Sequence, residues 1–260
     1  MDLGLEGKRA WVLGASAGLG RAVAKALASE GARLALSSRS EQKLRVVAEE
    51  IGGAAVVPLD VAAGKQAIDQ ACEEVVRKLG GLDILISNHG GPPAGLATEI
   101  DDEAFVKGFE LVLASAYRLT KAALPHLGQA GGGVIVYLTS SSTKEVVPNL
   151  LLSNTMRSGV VGMMKTLSRE LAADGIRLLC AAPGRFSTDR VTSLDAFDAQ
   201  RQGKTPEEIR TDHQAAIPFG RYGDPQEFGD VVAFLCSERA SYMSGCTVLV
   251  DGGKLWGVQS

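Results

Sequence analysis

Cysteine, histidine and long apolar runs are all scarce in this 260-residue chain. The four cysteines, Cys72, Cys180, Cys236 and Cys246, form no C-x-x-C pair, and the three scattered histidines add no metal-ligand spacing. That points away from a structural zinc site and from a disulfide framework, and towards a reduced, metal-free, cytoplasmic protein. The longest apolar runs, such as VVGMM, fall far short of the roughly 18 residues a spanning helix needs. The opening MDLGLEGKRAWVLG starts acidic and has no signal-peptide pattern. No block of lysine or arginine appears and the net charge is −3, which argues against a nucleic-acid or anionic-membrane partner. Proline- or serine-rich linkers, repeats and low-complexity tracts are also missing, so residues 1–260 read as a single domain.

What is present is apolar and periodic. Apolar residues make up 45% of the chain, enough for a sizeable core. Near-continuous apolar runs at 9–14, 33–38, 54–59, 83–87, 134–139, 176–181 and 246–251 predict buried parallel strands. Helical patterns lie between them, at about 18–30, 41–51, 64–79, 101–127, 153–173 and 225–236. This alternation predicts an α/β fold, a doubly wound parallel sheet with helices on both faces and right-handed crossovers. The polar stretch 187–217 breaks the rhythm. It reads as a long irregular insertion, a lid on the substrate side.

The first predicted strand runs into GASAGLG. Its Gly14, Gly18 and Gly20 stand between a strand and a helix, where glycines allow a tight turn and close approach of a pyrophosphate to the helix N-terminus. About two dozen residues on, dinucleotide folds often place an acid for the ribose 2′-hydroxyl. Here Ser38 takes that place and Arg39 follows. A guanidinium holds a 2′-phosphate that an acid would repel, so NADP(H) is favoured over NAD(H).

Further motifs fall in order: Leu59-Asp60, Ser87-Asn88-His89-Gly90, Ser140 in YLTSSS, and Pro183-Gly184 with Thr188 in AAPGRFSTDR. Over about 5–255 the chain resembles the short-chain dehydrogenase/reductase family, most of all its β-ketoacyl-ACP-reductase-like branch. The resemblance implies a Rossmann-type sheet of seven strands, a nicotinamide cofactor, and a homodimer or homotetramer. It also implies that Gly14, Ser16, Gly18, Leu19 and Gly20 wrap the pyrophosphate and adenosine ribose, and that Asp60 and Val61 meet the adenine. Asn88 and Gly90 would line the nicotinamide-side ribose. Pro183, Gly184, Phe186 and Thr188 would hold the nicotinamide amide.

At the fifth long helix the chain departs from the family. A Tyr-x-x-x-Lys motif is expected about 13 residues after the catalytic serine. Counting from Ser140 gives Ser153, with Arg157 in the lysine's place. The downstream SGVVGMMKTLSREL keeps the register without a gap. Val112 stands where the family has a further catalytic asparagine, so Ser140 alone keeps the family's type. Arg157 retains charge and donors for the ribose. Ser153 is a far weaker acid than a phenol whose pKa lies near ~10 before perturbation.

Three alternative proton donors stand side by side: His89, Lys144, and a water held between Ser140 and Ser153. Tyr117 is expected at an interface or in the core, and Tyr137 in the core. Two functions follow. One is an NADP(H)-linked oxidoreductase of a carbonyl or secondary alcohol, with an acyl thioester among the candidates. The other is a catalytically weak nucleotide-binding pseudo-dehydrogenase acting as a sensor or scaffold. The helix pair 101–127 and 153–173 supplies the expected subunit interface, with Ala114, Tyr117, Leu124, Val161 and Leu171 on its outer faces.

Overall fold

A computed structural model describes residues 1–258, so the last two residues of the 1–260 domain lie outside the described residues. Seven strands form one parallel sheet in the order β3-β2-β1-β4-β5-β6-β7. They are β1 (Arg9–Leu13), β2 (Arg33–Ser37), β3 (Ala55–Val56), β4 (Ile84–Ser87), β5 (Gly133–Leu138), β6 (Ile176–Pro183) and β7 (Cys246–Val250). The order reverses between β1 and β4, which sit side by side with Trp11 opposite Leu85. Crevices at such reversals, beyond the strands' carboxyl ends, are where this fold class binds ligands.

Strand side chains alternate between two apolar layers, as the period of two requires. Trp11, Leu85 and Tyr137 face one layer. Val12, Ile86 and Val136 face the other. The first layer is closed by α3 (Lys65–Leu79), α5 (Ser115–Gln129) and α6 (Leu151–Glu170). The second is closed by α1 (Gly18–Ser29), α2 (Glu41–Glu50) and α9 (Pro225–Cys236).

The structure corrects three sequence expectations. The strand expected over 54–59 pairs as regular strand only at Ala55–Val56. It lies at the sheet edge, and Pro58 has no N–H to extend the ladder, although Val57 and Leu59 still donate to Leu36 and Ser38. Residues 187–217 are not irregular. They form α7 (Asp189–Gln202) and α8 (Pro206–Ala215). Thr188 caps α7, Gly203 ends it in the left-handed region, and Thr205 with Glu208 forms a capping box on α8. Periodicity missed these helices because their buried residues are only Asp195, Ala199 and Ile209.

The third correction concerns the long helix over 101–127. It runs as α4 (Asp102–Phe109), a π turn over Glu110–Ala114, and then α5. A π turn inserts a residue and rotates the following face. As a result Ala114, expected on the outer surface, is 6% exposed, while Tyr117 is 51% exposed.

Candidate active site

The glycine-rich turn between β1 and α1 is shaped by contacts that leave no room for side chains. Gly14 and Gly18 have positive φ, at 62° and 54°. A Cβ on Gly14 would lie 2.5 Å from the Asn88 amide nitrogen. One on Gly20 would lie 2.2 Å from the Gly14 carbonyl oxygen and 2.8 Å from the same amide. Asn88 follows β4 directly, so the pairing of β1 with β4 brings it over the turn. From the far side, the Thr188 methyl stands 3.5 Å from where a Gly18 Cβ would be. Ser16 and Leu19 are half-buried in the same turn. The N-terminus of α1 has no side-chain cap and no acid in its first turn, so its N–H groups and dipole suit an anion. This glycine cradle fits a dinucleotide pyrophosphate.

At the end of β2, the Ser38 hydroxyl is buried with no hydrogen-bond partner among the described residues, and Arg39 is exposed beside it. A hydroxyl donor and an exposed guanidinium fit an added phosphate. Asp60 is exposed and accepts from the Ala62 N–H at 3.0 Å, holding the turn that buries Val61.

Ser153 and Arg157 do share one face of α6, and that face is buried, at 6% and 8% exposure. Ser153 is not the helix cap, because Leu150 takes that position. The Arg157 Nη1 donates to the carbonyls of Leu138 and Thr139, at 2.8 and 2.9 Å. The guanidinium therefore reaches the end of β5, at the residue before Ser140. The Ser140 hydroxyl accepts from the Ser142 N–H at 3.1 Å. Burial, and then the charge of Arg190, pull Arg157 down to about 10, which leaves it charged at neutral pH. Val112 is fully buried within the π turn.

The candidate proton donors differ in state. Burial, followed by the charge of Arg157, pushes His89 down to about 3. Its Nδ1 lies 2.8 Å from the Gly90 carbonyl oxygen. A carbonyl only accepts, so Nδ1 carries the hydrogen and Nε2 is left as an acceptor. A neutral ring held this way is a poor proton donor. Lys144 is exposed on the turn after Ser140. Tyr137 is in the core, 2.6 Å from the Thr120 hydroxyl, and burial raises its pKa.

At the end of β6, Gly184 packs on Asp251, where a Cβ would lie 2.7 Å from the Asp251 Cα. Phe186 turns its ring into the core, 5.3 Å from the Phe228 ring between centroids. Only its backbone is left for the cleft. Its carbonyl accepts from the Thr188 hydroxyl at 3.4 Å.

Two features had no signal in the sequence. Arg190, in the first turn of α7, donates from Nη2 to the Pro92 carbonyl at 2.7 Å and lies against Gly91. Asp195, 4% exposed, accepts from Arg185 at 2.6 Å and from the Tyr222 hydroxyl at 3.0 Å, with His213 Nδ1 at 3.2 Å. Burial and then the Arg185 charge lower the pKa of His213.

The topology defines a Rossmann-type fold, and the glycine cradle is shaped to suit a dinucleotide. A family model described as Enoyl-(Acyl carrier protein) reductase matches residues 14–254. The chain is 35% identical to Dehydrogenase/reductase SDR family member 4 of Bos taurus, over 96% of this chain and 88% of that one. It is 32% identical to 3-oxoacyl-[acyl-carrier-protein] reductase FabG of Escherichia coli, over 96% and 98% respectively. The fold superposes on L-sorbose reductase of Gluconobacter frateurii, solved with NADPH and L-sorbose, with a TM-score of 0.93. That match has 30% identity and covers 99% of this chain and all of the other. The chain belongs to the short-chain dehydrogenase/reductase family, whose members are oxidoreductases. No helix is long and apolar enough to cross a membrane among the described residues.

Proposed function

We propose that the protein is an NADP(H)-dependent oxidoreductase that interconverts a carbonyl and a secondary alcohol without a tyrosine acid. The observation that carries this reading is the placement of Ser153 and Arg157 on one buried face of α6, with the guanidinium held beside Ser140. The NADPH-bound structures of similar reductases support the cofactor.

The cradle of Gly14, Gly18 and Gly20 would hold the pyrophosphate, Ser38 and Arg39 the 2′-phosphate, and Asp60 and Val61 the adenine side. Asn88, Gly90 and Arg157 would hold the inner ribose, and Pro183, Gly184, Thr188 and the Phe186 backbone the amide. When bound, the reduced nicotinamide supplies a hydride to the carbonyl carbon. Ser140 donates a hydrogen bond to the carbonyl oxygen. The positive charge of Arg157 favours the negative charge that develops there. The proton that completes the alcohol comes from solvent by way of the Ser140 and Ser153 hydroxyls. Without a phenol this path forgoes roughly 10²–10⁴ in rate.

The helices over 187–217 cover the substrate side. A homo-oligomer would cover Phe105, Val106, Phe109 and Tyr117, which are 40–57% exposed along α4 and α5. Titration with NADPH and NADH, followed by NADPH oxidation against ketones and acyl thioesters, tests the reading. Tight NADPH binding without turnover of any carbonyl would favour a non-catalytic nucleotide-binding role instead.

A further inference from the structure

Two pairs of segments meet here: α6 on the end of β5, through Arg157, and the start of α7 on the loop after β4, through Arg190. Each pair brings a guanidinium. Arg157 is more than nine-tenths buried, and among the described residues its hydrogen bonds run only from Nη1 to the Leu138 and Thr139 carbonyls. Arg190 is exposed as a whole residue, but its guanidinium tucks under the loop at Gly91 and Pro92. The charge of Arg190 is felt at Arg157, and that of Arg157 at His89, three residues before Pro92. Among the described residues neither guanidinium has a carboxylate within ion-pair distance, whereas most other arginines do, for example Arg9, Arg21, Arg185 and Arg221. Two like charges brought together in a partly desolvated cleft, with only neutral carbonyl acceptors, lack a counter-charge.

The α1 cradle lies on the Gly18 side of Thr188, while Arg190 reaches to Pro92, beyond His89. The missing anion therefore belongs to the substrate. We propose that the cleft selects an oxo acid whose carboxylate, close to the reacting carbonyl, is held between Arg157 and Arg190. This rests on the reductase reading above and narrows it. A carrier-bound acyl thioester has no charge at that position, so a small free oxo acid is the better occupant. Arg190 is the specificity residue, and Arg157 serves both cofactor and carboxylate.

Matched probes test this: acetoacetate against methyl acetoacetate, with wild type and Arg190→Gln. NADPH oxidation gives kcat/KM, and calorimetry of malonate on the NADP+-loaded protein gives binding without chemistry. The acid is expected to exceed the ester by about 10- to 100-fold in kcat/KM, the range of a charge-assisted hydrogen bond. Arg190→Gln should erase most of that preference and weaken malonate about tenfold or more, with NADPH affinity unchanged. Equal use of acid and ester, or a preference that survives Arg190→Gln, overturns the proposal. So does a loss of NADPH affinity in Arg190→Gln that matches the loss of malonate binding, which would assign Arg190 to the cofactor's phosphates. If no ketone is reduced, the reductase reading fails by itself. Arg190-dependent malonate binding would then still support the anion site, and its absence would overturn it.

Discussion

The amide of Asn88 lies across Gly14 so closely that a methyl group on that glycine would stand 2.5 Å from Nδ2. The same amide limits Gly20. Gly20→Ala should therefore push Asn88 aside or shift the turn. Overpacking of this kind costs about 1–3 kcal/mol. Urea denaturation should show that loss, and NADPH titration should show weaker binding, because the turn and Asn88 move together. A Gly20→Ala protein with wild-type stability and affinity would contradict the cradle described here.

In the proposed reading, Arg39 decides between the two cofactors. Arg39→Ala should weaken NADPH by about 1.5–3 kcal/mol, the value of a lost charge-assisted hydrogen bond, and leave NADH nearly unchanged. Intrinsic-fluorescence titration with both cofactors measures this. Equal affinities for the two in wild type would remove the basis of the prediction.

Arg157 supports the fold and, in the proposed reading, the cofactor too. Arg157→Ala strips donors from the Leu138 and Thr139 carbonyls. It should lower stability by about 1.5–3 kcal/mol as well as weakening NADPH. Arg157→Lys should be milder in both, with charge kept and the fork lost. Ser153→Ala should change the reduction rate by far less than the roughly 10²–10⁴ due to a general acid. Ser153→Tyr combined with Arg157→Lys should raise turnover, with Val112 limiting the gain. Loss of a robust activity in Ser153→Ala, at unchanged cofactor affinity, would make Ser153 itself the acid.

His89 gives the stability a dependence on pH. In the folded protein it titrates at about 3, because of burial and the Arg157 charge, while in the unfolded chain it titrates near ~6.5. Between these values the unfolded state binds the extra proton. Stability is therefore intact above about 6.5 and falls as pH drops towards 3, by at most about 1.4 kcal/mol per pH unit. His89→Gln should flatten the slope between pH 6.5 and 5, where most carboxylates have yet to take up protons. Denaturant midpoints across that range measure it, and parallel slopes for the two proteins would refute it.

The sheet could be read from sequence because strands buried on both faces are written as continuous apolar runs, as in Ile84–Ser87 and Gly133–Leu138. The cradle could be read because glycine is the residue that tolerates both the positive φ at Gly14 and the approach of Asn88. The relation of Ser153 to Arg157 followed from helix periodicity. The two helices over 187–217 were hidden because an acid, Asp195, occupies a buried position that periodicity expects to be apolar. Arg190 was hidden because its partner is the backbone of Pro92, 98 residues away in sequence. The rotation of Ala114 into the core depends on a π turn, which leaves no mark in residue type.

The buried Asp195 ties α7 to His213 on α8, to Arg185 after β6 and to Tyr222 before α9. Across the cleft, α7 meets the loop after β4 through Arg190 on the Pro92 carbonyl and Arg201 on Glu99 at 2.8 Å. A wall fastened in this way is braced from within by one buried carboxylate and tied across the cleft by two arginines. Freed of those two contacts, the wall would part from the loop at Pro92 and Glu99 while Asp195 still held its other side. A carboxylate bound as proposed above would compete with the Pro92 carbonyl for Arg190, so ligand binding and the fastening of this wall would draw on the same guanidinium.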